Sequence, residues 1–113
     1  MKRFTLRFRK SDEAIFLAIK NGEKKVETRA ATIRYKNMAI GDTVNFICGD
    51  KKFSRRISRA KYFKGILDML RVYNITDIST TRKTKEELLQ KYYSFPGYEE
   101  KLKKFGIMAL EFA

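Results

Sequence analysis

Lys24, Lys25, Glu27 and Arg29 put three cations and one carboxylate into the six residues Lys24-Lys25-Val26-Glu27-Thr28-Arg29. On a strand, alternate side chains take opposite faces, so Lys25, Glu27 and Arg29 would share one face and Lys24 and Thr28 the other, unless a bulge intervenes. An arginine so placed can fork onto a phosphate or a base edge, a lysine supplies a point charge, and a carboxylate can orient a substrate amine or the arginine itself. The plainer reading is a cross-strand ion pair on a solvated face. The chain has no histidine, which removes Ser-His and Cys-His activation and every histidine metal site. Cys48 is the single cysteine, so no intrachain disulfide and no thiolate zinc cluster can form, and no metal or cofactor is expected. Chemistry would fall to Lys, Glu, Asp, Thr, Tyr or bound water.

The charge balance points outward. Twenty-six Lys and Arg face thirteen Asp and Glu, a formal net charge of +13, and such a field draws in polyanions. RNA or a nucleotide is the expected partner. Arg55, Arg56, Arg59 and Lys61 make the densest basic run and read as contacts to backbone phosphates, the alternative being exposed charge that protects a sheet edge. Among the six tyrosines Tyr98 stands out, because Phe95-Pro96-Gly97-Tyr98 is a rigid loop and rigid loops tend to carry sites. Cys48 reads as a buried apolar side chain and Asp42, after Gly41, as turn chemistry. No stretch approaches the roughly eighteen apolar residues of a membrane span, and the start lacks a signal peptide's apolar run. A cytoplasmic protein with no membrane partner is the expectation.

A single domain over residues 1–113 must position these groups. Phe4, Leu6 and Phe8 alternate with Arg3, Thr5, Arg7 and Arg9, which predicts a strand with one buried and one cationic face. Ser11 can cap a helix opening at Asp12 and Glu13 and stopping at Asn21-Gly22. Lys24 to Arg29 reads as a second strand, Ala30 to Ala39 as irregular, Thr43 to Cys48 as a third strand and Phe53 to Phe63 as a long fourth. Ile66 to Leu70 suggests a short helix. Thr84 with Glu87 forms a capping box ahead of a further helix, Pro96 opens another that Gly106 ends, and Ile107 to Phe112 closes the chain as a strand. Many short-linked strands argue for an α+β fold, a small mixed β-barrel with helices outside it.

Three stretches carry a resemblance. Gly22-Glu23-Lys24-Lys25-Val26-Glu27-Thr28-Arg29, then Ile40-Gly41-Asp42-Thr43-Val44-Asn45-Phe46, then Tyr93-Ser94-Phe95-Pro96-Gly97-Tyr98 with Phe105-Gly106-Ile107-Met108-Ala109-Leu110-Glu111-Phe112, resemble the ASCH domain family of the PUA-like superfamily over almost the whole chain. The resemblance implies a barrel of five to six strands flanked by helices, a cleft beside the first motif and an RNA-related role. It also implies two activities found among similar proteins, a ribonuclease and an N4-acylcytidine amidohydrolase. In the latter group a lysine, a threonine and a helix-borne glutamate are catalytic. Lys24 matches the lysine, but Glu27 stands at the threonine position and no glutamate between Ile66 and Leu89 is assigned to the third role. The resulting expectation is a basic RNA- or nucleotide-binding cleft that uses Lys24, Lys25, Arg29, Arg55, Arg56, Arg59, Lys61 and Tyr98. Its alternative is a small metal-independent hydrolase with Lys24 and Glu27 as catalytic pair.

Overall fold

The alternating runs become strands β1 (Arg3–Arg7), β2 (Val26–Ala30), β3 (Thr43–Cys48), β4 (Lys51–Phe63) and β5 (Ile107–Phe112) in a computed structural model that describes residues 1–113. Helices α1 (Glu13–Lys20), α5 (Lys85–Tyr93) and α6 (Tyr98–Phe105) are joined by three single turns, α2 (Ile33–Lys36), α3 (Ile66–Met69) and α4 (Ile75–Ile78). The fold is α+β, with one five-stranded mixed sheet curled into a half-barrel. Strand order is β1-β3-β4-β5-β2. β1 runs parallel to β3, and the other pairings are antiparallel.

β1 and β2 are therefore the two free edges of the curl. The inner face carries Leu6, Val44, Phe46, Ile57, Met108 and Leu110, packed with Phe16 and Ile19 of α1. The outer face of β2 and β5 carries Val26, Ala30, Ile107 and Ala109, which meet Met69, Ile78, Leu88, Tyr92 and Leu102 from α3 to α6. β5 lies between both clusters. This is why Ile107-Met108-Ala109-Leu110 shows no polar alternation: all four are at most 3% exposed, and full burial of Ile107 or Leu110 is worth roughly 1.5–3 kcal/mol each. β3, covered on one face only, keeps strict alternation, with Val44, Phe46 and Cys48 buried between partly exposed neighbours.

A register shift between Ile57 and Arg59 re-aims β4. Before it the inner-face residues are Phe53, Arg55 and Ile57; after it Ala60 and Tyr62 pair with inner-face Leu110 and Met108. Gly106 joins α6 to β5 at φ +81°, and a Cβ there would lie 2.7 Å from the Phe63 carbonyl oxygen and 2.8 Å from the Tyr62 ring. Only glycine fits so close to the neighbouring backbone. The Thr84–Glu87 capping box forms as the sequence indicates.

Two local expectations need correction, and one turn, α4, was not foreseen. Ser11 does not cap α1, because a 3₁₀ turn at Lys10–Asp12 precedes it, Asp12 takes the cap position and its carboxylate turns back to Arg9 Nε at 3.2 Å. The irregular stretch after Ala30 contains the α2 turn, whose Arg34 guanidinium donates to the Thr5 carbonyl on the free edge of β1. α4 has too few residues to show a helical period.

Candidate functional site

β2 begins at Val26, so strand alternation does not reach back to the lysines. Lys24 and Lys25 instead lie between helices, their amides donating to Ala18 O at 3.0 Å and Asp77 O at 3.1 Å. That placement swings Lys24 onto the side of Glu27 and leaves Lys25 in solvent. Lys24 Nζ donates to Val26 O at 2.7 Å and Ile78 O at 2.5 Å, and lies 3.4 Å from Glu27 Oε1. An ammonium has three donors, and these partners occupy all of them. Arg29 reaches Glu27 Oε2 at 3.3 Å, and the Thr28 amide donates to Oε1 at 3.0 Å.

Glu27 is 6% exposed. Burial alone would raise its pKa, but Lys24, Arg29 and the Thr28 N–H overcome that and hold it below the usual carboxylate range. Burial likewise opposes the Arg29 charge, and Glu27 more than restores it. The Arg29 guanidinium lies 5.6 Å from the Phe8 ring and 5.8 Å from the Tyr35 ring, within cation–π range of both. Behind the strand, the Thr28 and Tyr92 hydroxyls hydrogen-bond each other, and burial pushes the Tyr92 phenol up.

This ion cluster floors a cavity of about 450 Å³ set between the free edges β1 and β2. Arg7, Phe8 and Arg9 line it from the end of β1; Leu88, Lys91 and Tyr92 of α5, with Phe95 and Tyr98, line it from the opposite side. The Tyr98 hydroxyl accepts the Ala30 N–H at 2.8 Å, and its ring stacks on Tyr92 at 6.2 Å between centroids. Five cations line the cavity, Arg7, Arg9, Lys24, Arg29 and Lys91, against the carboxylates of Asp12 and Glu27. Arg7 and Lys91 form no ion pair. Burial first, then repulsion from Lys24 and Arg82, lowers the Lys91 pKa.

Of the residues the sequence singles out, Lys24, Glu27, Arg29 and Tyr98 come together here. Lys25 does not; it is exposed on the far side. The basic run of β4 also fails to act as one stripe, because alternation and the register shift send its members to different places. Arg55 donates to Lys20 O at 3.1 Å, at the C-terminus of α1, and its guanidinium lies 4.8 Å from the Phe53 ring. Arg59 lies 3.6 Å from Glu111 and alone of the four has a carboxylate partner, Lys61 reaches over the Phe63 ring, and Arg56 points outward beside β3. Sequence reasoning missed Arg7, Phe8, Arg9 and Lys91 as site residues. The signal for Lys91 was present: Leu88, Lys91, Tyr92 and Phe95 fall at i, i+3, i+4 and i+7 of one helix face, which places a lysine inside an apolar stripe. Asp42, read as turn chemistry, is buried and accepts the Ala39 and Lys2 amides at 3.0 and 2.9 Å. No three metal-ligating side chains lie together, and no helix is long and apolar enough to cross a membrane.

No family model and no curated protein matches the chain. Solved structures share its fold. The crystal structure of the hypothetical protein PH0355 aligns over 97% of this chain and 96% of its own, with a TM-score of 0.81 and 24% identity. The solution NMR structure of protein PF0455 from Pyrococcus furiosus aligns over 98% of this chain and 94% of its own, with a TM-score of 0.72 and 27% identity. The chain is thus similar in fold to both along nearly its whole length.

Proposed function

We propose that the cavity binds one nucleotide, free or as a unit of RNA, and that the half-barrel is of the PUA-like, ASCH type. The observation that carries this reading is an ionised carboxylate beside an arginine fork at the floor of a 450 Å³ cavity walled by aromatic rings. Ligand cavities commonly span about 300–1,000 Å³. Each carboxylate oxygen can accept about two hydrogen bonds. Glu27 Oε1 faces Thr28 N–H and Lys24, whereas Oε2 faces Arg29 only, so one acceptor site stays open next to unused guanidinium donors. A base edge presents the matching donor and acceptor side by side. Phe95 and Tyr98 supply faces for stacking, and Arg7, Arg9 and Lys91 supply charge for the phosphate.

Calorimetric titration at low salt tests the reading. Nucleoside 5′-monophosphates should bind, and ribose 5-phosphate, which lacks the base, should bind at least about tenfold more weakly. Phe95→Ala, at an exposed rim position, should weaken the nucleotide by about tenfold through lost stacking. Equal binding of the two ligands would remove the base from the account.

The hydrolase reading is favoured by one feature, Lys91. Its ammonium is disfavoured by burial and by neighbouring cations, which suits a group that accepts a proton from water as that water attacks an acyl carbonyl, the proton passing on to the departing amine. Lys24, with its donors taken up, would then hold Glu27 in place instead of acting as base. Release of acetate from N4-acetylcytidine in the presence of chelator, abolished by Lys91→Ala, would support hydrolysis; no turnover by the parent protein would reject it.

A further inference from the structure

Register places Arg3, Thr43 and Arg56 in one row across β1, β3 and β4, Thr5, Asn45 and Ser54 in the next, and Arg7, Ile47 and Lys52 in a third. These rows lie on the outer face, opposite buried Leu6, Val44 and Phe46. No helix covers that face: α3 to α6 pack over β2 and β5, and α1 packs inside. Strands lie about 4.8 Å apart and alternate residues on one strand about 7 Å apart, so four cations mark the corners of a patch about 10 by 14 Å, with uncharged Thr5, Thr43, Asn45, Ser54 and Ile47 between them. Ser54 Oγ and Arg3 both donate to Asn45 Oδ1, at 2.6 and 3.1 Å.

The segregation of charge is complete here. β1, β3 and β4 together contain eight Lys and Arg and no Asp or Glu. None of Arg3, Arg7, Lys52 and Arg56 forms an ion pair. Solubility alone does not require one sign. The patch also carries no aromatic ring, so it offers bases nothing to stack on. Its hydrogen-bond donors and charges suit phosphates regardless of sequence.

We infer that this bare sheet face is a docking surface for the phosphate backbone of a single RNA strand, which passes Arg7 at the β1 edge to deliver one nucleotide into the cavity. Arg7 belongs to both places, to the third row of the patch and to the cavity lining. The inference extends the nucleotide-cavity reading from one unit to the strand that bears it.

The test uses fluorescence anisotropy with a labelled twelve-nucleotide oligouridylate and an oligoadenylate across a salt series, in parallel with calorimetry of a nucleoside monophosphate. The variant replaces Arg3, Lys52 and Arg56 by Gln and spares Arg7. Neutralising three phosphate contacts on a single strand should reduce the slope of log affinity against log salt by about 2, equally for both oligonucleotides, with mononucleotide affinity unchanged. The Lys52→Arg, Arg3→Lys, Arg56→Lys variant, which preserves every charge, should restore the slope. An unchanged slope in the Gln variant would overturn the inference while leaving the cavity reading intact, as would RNA that fails to bind the parent protein. A reduced slope without any mononucleotide binding would do the reverse, keeping the surface and removing the cavity. Recovery of affinity for acidic polypeptide but not for RNA would assign the face to a protein partner and overturn it too.

Discussion

The two halves of the sheet obey different electrostatic rules. Over β2, β5 and the end of β4, helices exclude water, and the carboxylates there have partners: Glu111, on the outer face, has Arg59 and the Tyr73 hydroxyl at 2.5 Å, and Glu27, on the inner face at the β2 edge, has Lys24 and Arg29. Burial and Glu111 push the Tyr73 phenol up to about 12, which keeps it a donor to that carboxylate. Over β1, β3 and the start of β4 nothing covers the sheet, and Arg3, Arg7, Lys52 and Arg56 remain unpaired. A buried charge without a partner costs several kcal/mol, whereas an exposed one costs almost nothing. The covered half therefore uses charge to hold its own geometry, and the bare half leaves its charge facing solvent.

The contrast can be broken most severely at Glu27. Glu27→Ala strands two cations over a buried floor and should cost about 3–5 kcal/mol in chemical denaturation. Because the folded pKa of Glu27 lies below its ordinary 4.5, its contribution is full above that pH and is lost as pH falls through the folded value. Parent and Glu27→Gln stability curves should accordingly converge on acidification below pH 4.5. Gly106→Ala comes next, at about 2 kcal/mol or more, since a positive φ is compounded by contact with the Phe63 carbonyl. Tyr92→Phe removes the buried partner of the Thr28 hydroxyl and should cost about 1 kcal/mol. Arg56→Gln, on the bare half, should change stability by no more than about 0.5 kcal/mol. A larger loss there would mean that the outward charges stabilise the fold and that the two halves do not differ as described.

Much of this was legible in the residues. The alternation of Phe4 and Leu6 with Arg3, Thr5 and Arg7 showed a strand with a cationic outer face, and Thr84 with Glu87 marked the start of α5, because both signals are local. The Lys24-to-Arg29 motif lies at the cavity floor, but strand alternation put Lys25, not Lys24, on the side of Glu27. Alternation assumes a strand, and the strand starts only at Val26, after Lys24 and Lys25, whose amides donate to Ala18 O six positions before and to Asp77 O fifty-two positions after. The β4 run misled for a similar reason: a one-residue register shift changes which faces Arg59 and Lys61 occupy, and no residue type in that run announces it. The opposing wall of the cavity, Arg7 to Arg9 from β1 and Lys91 from α5, depends on the closing of the sheet edges, which only tertiary contacts determine.

The proposed function turns on whether the space between the free edges of β1 and β2 receives a nucleotide. A titration of ¹⁵N-labelled protein with a nucleoside 5′-monophosphate, followed by amide chemical shifts, tests it most directly. Saturable shifts are expected at Phe8, Glu27, Thr28, Arg29, Lys91, Tyr92 and Tyr98, with Asn45, Ser54 and Arg56 on the bare face unmoved by the mononucleotide. Shifts confined to the bare face, or an unchanged spectrum at millimolar nucleotide, would contradict it.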